Sequence, residues 1–316
     1  MKVTLDLDTL LTQGQIDQRE YDKLRALSHA GTATLAFNIL VAFGVIAVAG
    51  ATLALLPTPA TAVALGAGIC GAGLALILRR DEQWQVLAVA CTVVGALLFG
   101  GGIVKLGEGS VGSFLMVAAV FAATAIVARS GLMAALAVVA LSCCLGARTG
   151  YLHAMYFLGI EAPLYTILLF SALALLLHWG SARVGSGYAG VMTAATRTSV
   201  FLVNFGFWIA SLWGDPALAR FRQGVDYIQL ANWQRTEARV FAVLWALGLV
   251  VAGVFAWKRD RRWLVTVVAV FGAVDFYTQW FEWLGATPTS VLIAGLGALA
   301  LAMALKSFNR KPVAVA

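Results

Sequence analysis

Asp275, Gln279 and Glu282 are the residues in this chain with the clearest potential for chemistry. They follow at intervals of four and three inside an apolar stretch, and because each residue turns a helix by about 100° they share one face. An ionisable group inside hydrocarbon costs about 2.5 to 3.5 kcal/mol on insertion scales, so Asp275 needs a partner, a water-filled cavity or a proton-handling role. It lies about 12 residues into its helix, ~18 Å from one membrane face. As an acid and base pair Asp275 and Glu282 are loose, since seven residues separate their Cα atoms by ~10 Å. A second stripe is formed by Arg197, Asn204, Ser211 and Asp215, with Trp208 between Asn204 and Ser211 on the same face. Two readings of that stripe stay open. Asn204 and Ser211 bond across helices as structural glue while Arg197 and Asp215 anchor the ends, or the two helices face each other and Asn204, Asp275, Gln279 and Glu282 line one cavity.

Other chemistry finds little support. His29, His153 and His178 form no pair with haem or metal spacing, so neither a metal nor a cofactor is expected. Cys70, Cys91, Cys143 and Cys144 all fall in apolar runs and read as small packing residues. Gly66, Gly68, Gly71 and Gly73, and then Gly95, Gly100, Gly101 and Gly102, would let helix backbones approach closely. The first group is no phosphate loop, because no Lys with Ser or Thr accompanies it. Tyr277, Trp280 and Trp283 fit an aromatic belt at a membrane boundary.

The elements that must hold these residues are set by composition. Of 316 residues 61% are hydrophobic and 12% charged, with a mean hydropathy of +0.88, against about half and roughly a quarter in a soluble domain. That excludes a soluble enzyme, a disordered chain and a disulfide-stapled secreted domain. At ~20 apolar residues per crossing the sequence predicts an all-α, polytopic transmembrane bundle of about ten spans. These are 33–56, 60–78, 84–104, 111–128, 130–147, 162–180, 198–214, 239–257, 263–284 and 288–305. The net charge of +7 does not mark nucleic acid, because the basic residues are dispersed in short connections and report orientation instead. With ten spans, sixteen Lys and Arg fall on one side, among them Arg79, Arg129, Arg183, Arg197, Lys258, Arg259, Arg261 and Arg262. Six fall on the other, including Lys105, Arg148, Arg220 and Arg235. The imbalance places both termini in the cytoplasm. About 30 polar residues precede the first apolar run, which argues against a cleavable signal.

The chain thus divides into an amphipathic helical hairpin (1–30), a transmembrane bundle (31–306) and a tail (307–316). In the hairpin Leu5, Leu7, Leu10 and Leu11 lead to Gly14, and Ile16, Tyr21, Leu24 and Leu27 continue at helical spacing. Gly14 suits a helix end, and Asp17 with Glu20 has capping-box spacing. Two readings stay open here as well: the pair lies on the membrane surface or on the protein's own loops, or it docks a partner or a second copy. The stretch from Leu10 to Leu24, with its Leu…Gly-x-Ile…Glu-Tyr…Leu pattern, resembles a short helical hairpin of many bacterial proteins thought to mediate oligomerisation. Followed by many spans, it resembles a bacterial family of predicted polytopic membrane proteins of unknown function. Arg197–Trp208 with Trp213-Gly214-Asp215, and Phe276–Glu282, are similar to stretches of that group. The resemblance implies a bacterial inner membrane and the same architecture, and no activity.

The long external connection 215–237 mixes Phe221, Tyr227, Ile228, Leu230 and Trp233 with Arg220, Arg222 and Arg235. It reads as an amphipathic helix at the outer surface, with a lid or partner-binding edge as the alternative. The expected partners are membrane lipids and a protein partner or homo-oligomer, contacted through Leu10, Leu11, Ile16, Tyr21, Leu24, Tyr227 and Trp233. The expected role is a scaffold or accessory subunit of an envelope assembly. The alternatives are a proton- or solute-coupled transporter using Asp275 and a membrane enzyme acting on a lipid-linked substrate at the outer face. No complete repeat relates 33–160 to 162–305, which counts against the transporter.

Overall fold

A chain this apolar pairs its backbone N–H and C=O groups within its own segments, and helix does so without help from a neighbour. The computed structural model describes residues 7–79, 84–152, 155–181, 183–215 and 227–309. Its helices are α1 (Leu7–Thr12), α2 (Gln18–Leu55), α3 (Pro59–Arg79), α4 (Gln85–Leu106), α5 (Val111–Ala128), α6 (Gly131–Cys143), α7 (Pro163–Ser181), α8 (Ala189–Trp213), α9 (Tyr227–Lys258), α10 (Arg262–Leu284) and α11 (Pro288–Asn309). Between α6 and α7 an antiparallel hairpin joins β1 (Ala147–Leu152) to β2 (Met155–Ile160), with Ala147 opposite Ile160.

Seven stretches among the described residues are long and apolar enough to cross a bilayer: Phe37–Leu55, Pro59–Arg79, Gln85–Leu106, Val111–Ala128, Pro163–Ser181, Arg235–Lys258 and Arg262–Glu282. Large side chains such as Leu40, Leu175, Val251 and Val270 are exposed on them, as suits helices solvated by lipid. Three expected spans do not meet both conditions. α6 ends at Cys143, short of the expected 147, because Gly146 takes φ +79° and the chain turns into the β-hairpin. The apolar part of α11, Pro288–Ala304, is also short. α8 has the length, 25 residues, but Thr193, Thr196, Arg197, Thr198, Ser199, Asn204 and Ser211 lower its apolarity.

The N-terminal hairpin and the first span are also not separate elements. α2 runs unbroken for 38 residues, since the lone Gly31 between them costs only about 1 kcal/mol against Ala, too little to break a helix. Likewise Tyr227 and Trp233 lie on the first turns of α9, which continues into the apolar stretch rather than lying apart from it. Residues 216–226, with Arg220, Arg222 and Phe221, lie outside the described residues, as do His153, residues 310–316 and the side chains of Leu24, Tyr227 and Arg148.

The helices fall into two compact units. The first covers residues 1–140 with 186–191. α1 ends in a motif in which the Gly14 N–H bonds the Leu11 carbonyl and the Gln15 N–H that of Leu10, with Gly14 at φ +68°. Asp17 then caps α2: its carboxylate accepts from the Glu20 N–H at 2.7 Å while Glu20 accepts from the Asp17 N–H at 3.1 Å. α3 and α4 form the tightest pair. A Cβ built on Gly66 would strike the Phe99 backbone nitrogen, and one on Gly95 that of Cys70. Gly68, Gly71 and Gly101 meet nothing within 4 Å. On the far side of α4, Gly100 lies against Phe121 and Val117 of α5.

The second unit covers residues 141–185 and 192–316. α8 is its centre, with Phe207 in contact with both apolar clusters: Ile167, Ala210 and Phe241 on one side, Trp245, Leu249 and Phe271 on the other. The α9–α10 turn is closed by Asp260 at φ +49°, with the Arg261 N–H bonded to the Ala256 carbonyl. The Tyr277 hydroxyl donates to the Ala294 carbonyl and ties α10 to α11.

Candidate functional site

The polar stripe of α8 is resolved residue by residue into joints between helices. Asn204 is buried; its amide nitrogen donates to the Val200 carbonyl at 2.8 Å and its oxygen accepts from the Trp245 indole of α9 at 3.0 Å. Trp208, one turn on, donates from its indole to the Thr278 hydroxyl of α10 at 3.1 Å. Ser211 turns back onto the Trp208 carbonyl at 2.8 Å. Asp215, 1% exposed, lies just past α8, where Gly214 at φ +72° redirects the chain. Its carboxylate accepts from the Leu164 N–H at 2.8 Å. Because Pro163 has no N–H to offer, Leu164 carries the first donor that α7 leaves without a helical partner, and a carboxylate also suits the positive end of the helix dipole.

α8 and α10 do face each other, as the Trp208–Thr278 bond and the Phe201–Phe271 ring pair at 5.5 Å record. Asn204 nevertheless bonds across to α9 and makes no hydrogen bond to Asp275. Asp275 is 8% exposed, and its Oδ1 has no hydrogen-bond partner among the described residues. The buried Gln279 amide nitrogen and Trp280 indole nitrogen on the same helix are likewise without one. A buried polar atom in that state costs about 1 to 3 kcal/mol, more when charged, so three such atoms within six residues mark this segment of α10. Glu282, one helical turn beyond Gln279, is exposed. Among the described residues no three His, Cys, Asp or Glu groups gather in a metal site.

Arg197, at the other end of the stripe, belongs to a different feature. It lines a cavity of about 510 Å³ with His178 and Ser181 of α7, Thr193 and Thr196 of α8, Arg259 and Arg261 of the α9–α10 turn, and Trp263 of α10. Its guanidinium lies 5.4 Å from the Trp263 ring centre, and that of Arg259 lies 5.7 Å from Phe255, distances at which the ring face attracts the cation. Of this group the sequence marks Arg197 as a stripe residue, Arg259 and Arg261 only as loop charges and His178 as a histidine with no metal-binding pair, because they reach the cavity from the ends of different helices. The pairing of Asn204 with Trp245 was similarly hidden: Trp245 and Trp257 share one apolar run, which carries no sign of which neighbour either indole N–H will meet.

The arrangement is that of an all-α chain whose seven apolar helices fit a multi-pass membrane protein. Comparison with family models, with curated proteins and with solved structures gave no match.

Proposed function

We propose that this chain is an integral membrane scaffold or accessory subunit of an envelope assembly, with ten crossings, both termini in the cytoplasm and its N-terminal hairpin as the docking element. The observation that carries this reading is the continuity of α2. At ~1.5 Å per residue its 38 residues extend ~57 Å, while its apolar stretch, Phe37–Leu55, is 19 residues long. The preceding turns, with Arg19, Glu20, Asp22, Lys23 and Arg25, continue ~28 Å beyond it. A hairpin mounted on such a helix presents Leu10, Leu11, Ile16 and Tyr21 at a fixed distance from the bilayer, which suits a contact with a protein better than adsorption to lipid. Gentle detergent extraction of the tagged full chain, followed by mass determination, tests it. Deleting residues 1–28 should leave the apolar helices inserted and reduce the particle to the lone chain. A full-size complex surviving that deletion overturns the docking role.

A second reading, a proton- or solute-coupled carrier, is favoured by the unpartnered Oδ1 of Asp275 with Gln279 one turn on, since an acid inside the membrane is a functional candidate by default. Asp275→Asn keeps the shape and removes the charge. Loss of proton-driven flux in vesicles with unchanged folding supports a carrier, and unchanged flux removes Asp275 from the mechanism.

A further inference from the structure

We infer that the basic cavity of the second unit binds a phosphate group, carried by the headgroup of an acidic phospholipid. Arg197, Arg259 and Arg261 line it together with His178, and no carboxylate is among its described lining residues. Concentrating cations around a space without a counter-charge is unfavourable unless an anion enters. The guanidinium fork matches phosphate oxygens two at a time. Arg197 and Arg259 lie over the Trp263 and Phe255 rings, a contact with the ring face that does not consume guanidinium N–H donors and leaves them for a ligand. The first turn of α10, which contributes Trp263 and Leu264, adds the positive end of a helix dipole. The volume is in the range of small-molecule sites.

The remaining wall explains why the phosphate should be a lipid's. The lining also includes the apolar Ala174, Leu175, Val200 and Leu264, and Leu175 is 67% exposed. A headgroup seated among the arginines would leave its acyl chains along the outer face of α7. A free phosphate would gain nothing from that wall. Basic pockets at helix ends, at headgroup level, are the geometry by which membrane proteins retain acidic lipids.

Native mass spectrometry of the full chain in mild detergent tests this with three probes: phosphatidylglycerol, phosphatidylcholine and inorganic phosphate. The expected result is one retained phosphatidylglycerol, preferred over phosphatidylcholine, with affinity falling about fivefold for each arginine replaced in Arg197→Gln, Arg259→Gln and Arg261→Gln. Arg79→Gln, at the exposed end of α3, should change nothing. If the triple variant fails to fold, Arg259→Gln alone carries the test through its own fivefold loss. Arginine-dependent binding of inorganic phosphate without a lipid preference would support the phosphate site and overturn the lipid source. Equal retention of the two lipids together with no phosphate binding, or a lipid preference untouched by the arginine variants, would overturn the site itself.

Discussion

Asn204 shows what a single amide does between helices in a lipid-solvated bundle: it is bonded within its own helix through nitrogen and to Trp245 through oxygen. Asn204→Leu would leave the Trp245 indole N–H, on a side chain 2% exposed, without an acceptor, at a cost of about 1 to 3 kcal/mol. Trp245→Phe removes the donor and some packing, and the double variant should recover part of the loss. The coupling energy in that cycle, read from unfolding in mixed detergent and sodium dodecyl sulfate, is expected near 0.6 kcal/mol and below about 1.7. Zero coupling would mean that the bond does not matter to the fold. The seven-residue spacing from Arg197 through Asn204 to Ser211 made the stripe legible in the sequence, since no lipid-facing helix carries it. What each polar group bonds was not legible. Asp215 reaches back 51 residues to cap α7, and nothing local to either position encodes that pairing.

At the scale of elements, close packing decides which glycines matter. α3 and α4 meet through Gly66 and Gly95, where a Cβ would collide with backbone atoms that cannot move aside. Gly66→Ala should therefore push the helices apart and destabilise the first unit by about 1 to 3 kcal/mol, the usual range for overpacking. Gly68→Ala, two residues away, faces open space and should be neutral or gain up to about 1 kcal/mol from helix propensity. Thermal unfolding of the two variants in one detergent checks the contrast, and equal losses would refute the seam. The sequence marked both glycines alike, because composition gives the presence of small residues and only the helix crossing selects among them. For the same reason the breaks at residues 30–32 and 143–147 were misread: a lone Gly31 is too weak to end α2, while Gly146 at a positive φ does end a helical run and admits the strands that follow.

At the scale of the whole molecule the question is which helices cross. The α9–α10 turn packs Lys258, Arg259, Arg261 and Arg262 into five residues, the kind of segment that translocation tends to leave in the cytoplasm, which is its side in the proposed topology. With a cytoplasmic N-terminus that side is reached after an even number of crossings, which holds if both α6 and α8 cross and also if neither does. The two cases differ at the β-hairpin, which follows α6. Ten crossings place residues 147–160 outside and Arg183 inside; omitting α6 and α8 puts the hairpin inside and Arg183 outside. The Lys/Arg bias toward the cytoplasm, applied to Arg183 and Arg197, favours the ten-span proposal in which both cross. α6 extends only ~20 Å over its 13 residues, so local thinning or tilt of neighbouring segments must accompany it, at fractions of a kcal/mol per ångström. In the proposed ten-span arrangement α8 crosses with its polar stripe satisfied, Asn204 and Trp208 finding partners on α9 and α10. In a variant with the four native cysteines replaced by alanine or serine, Glu161→Cys should react from outside intact cells with an impermeant maleimide. Val184→Cys should react only after permeabilisation. The reverse pattern would remove α6 and α8 from the membrane-crossing set and leave the chain with eight spans at most.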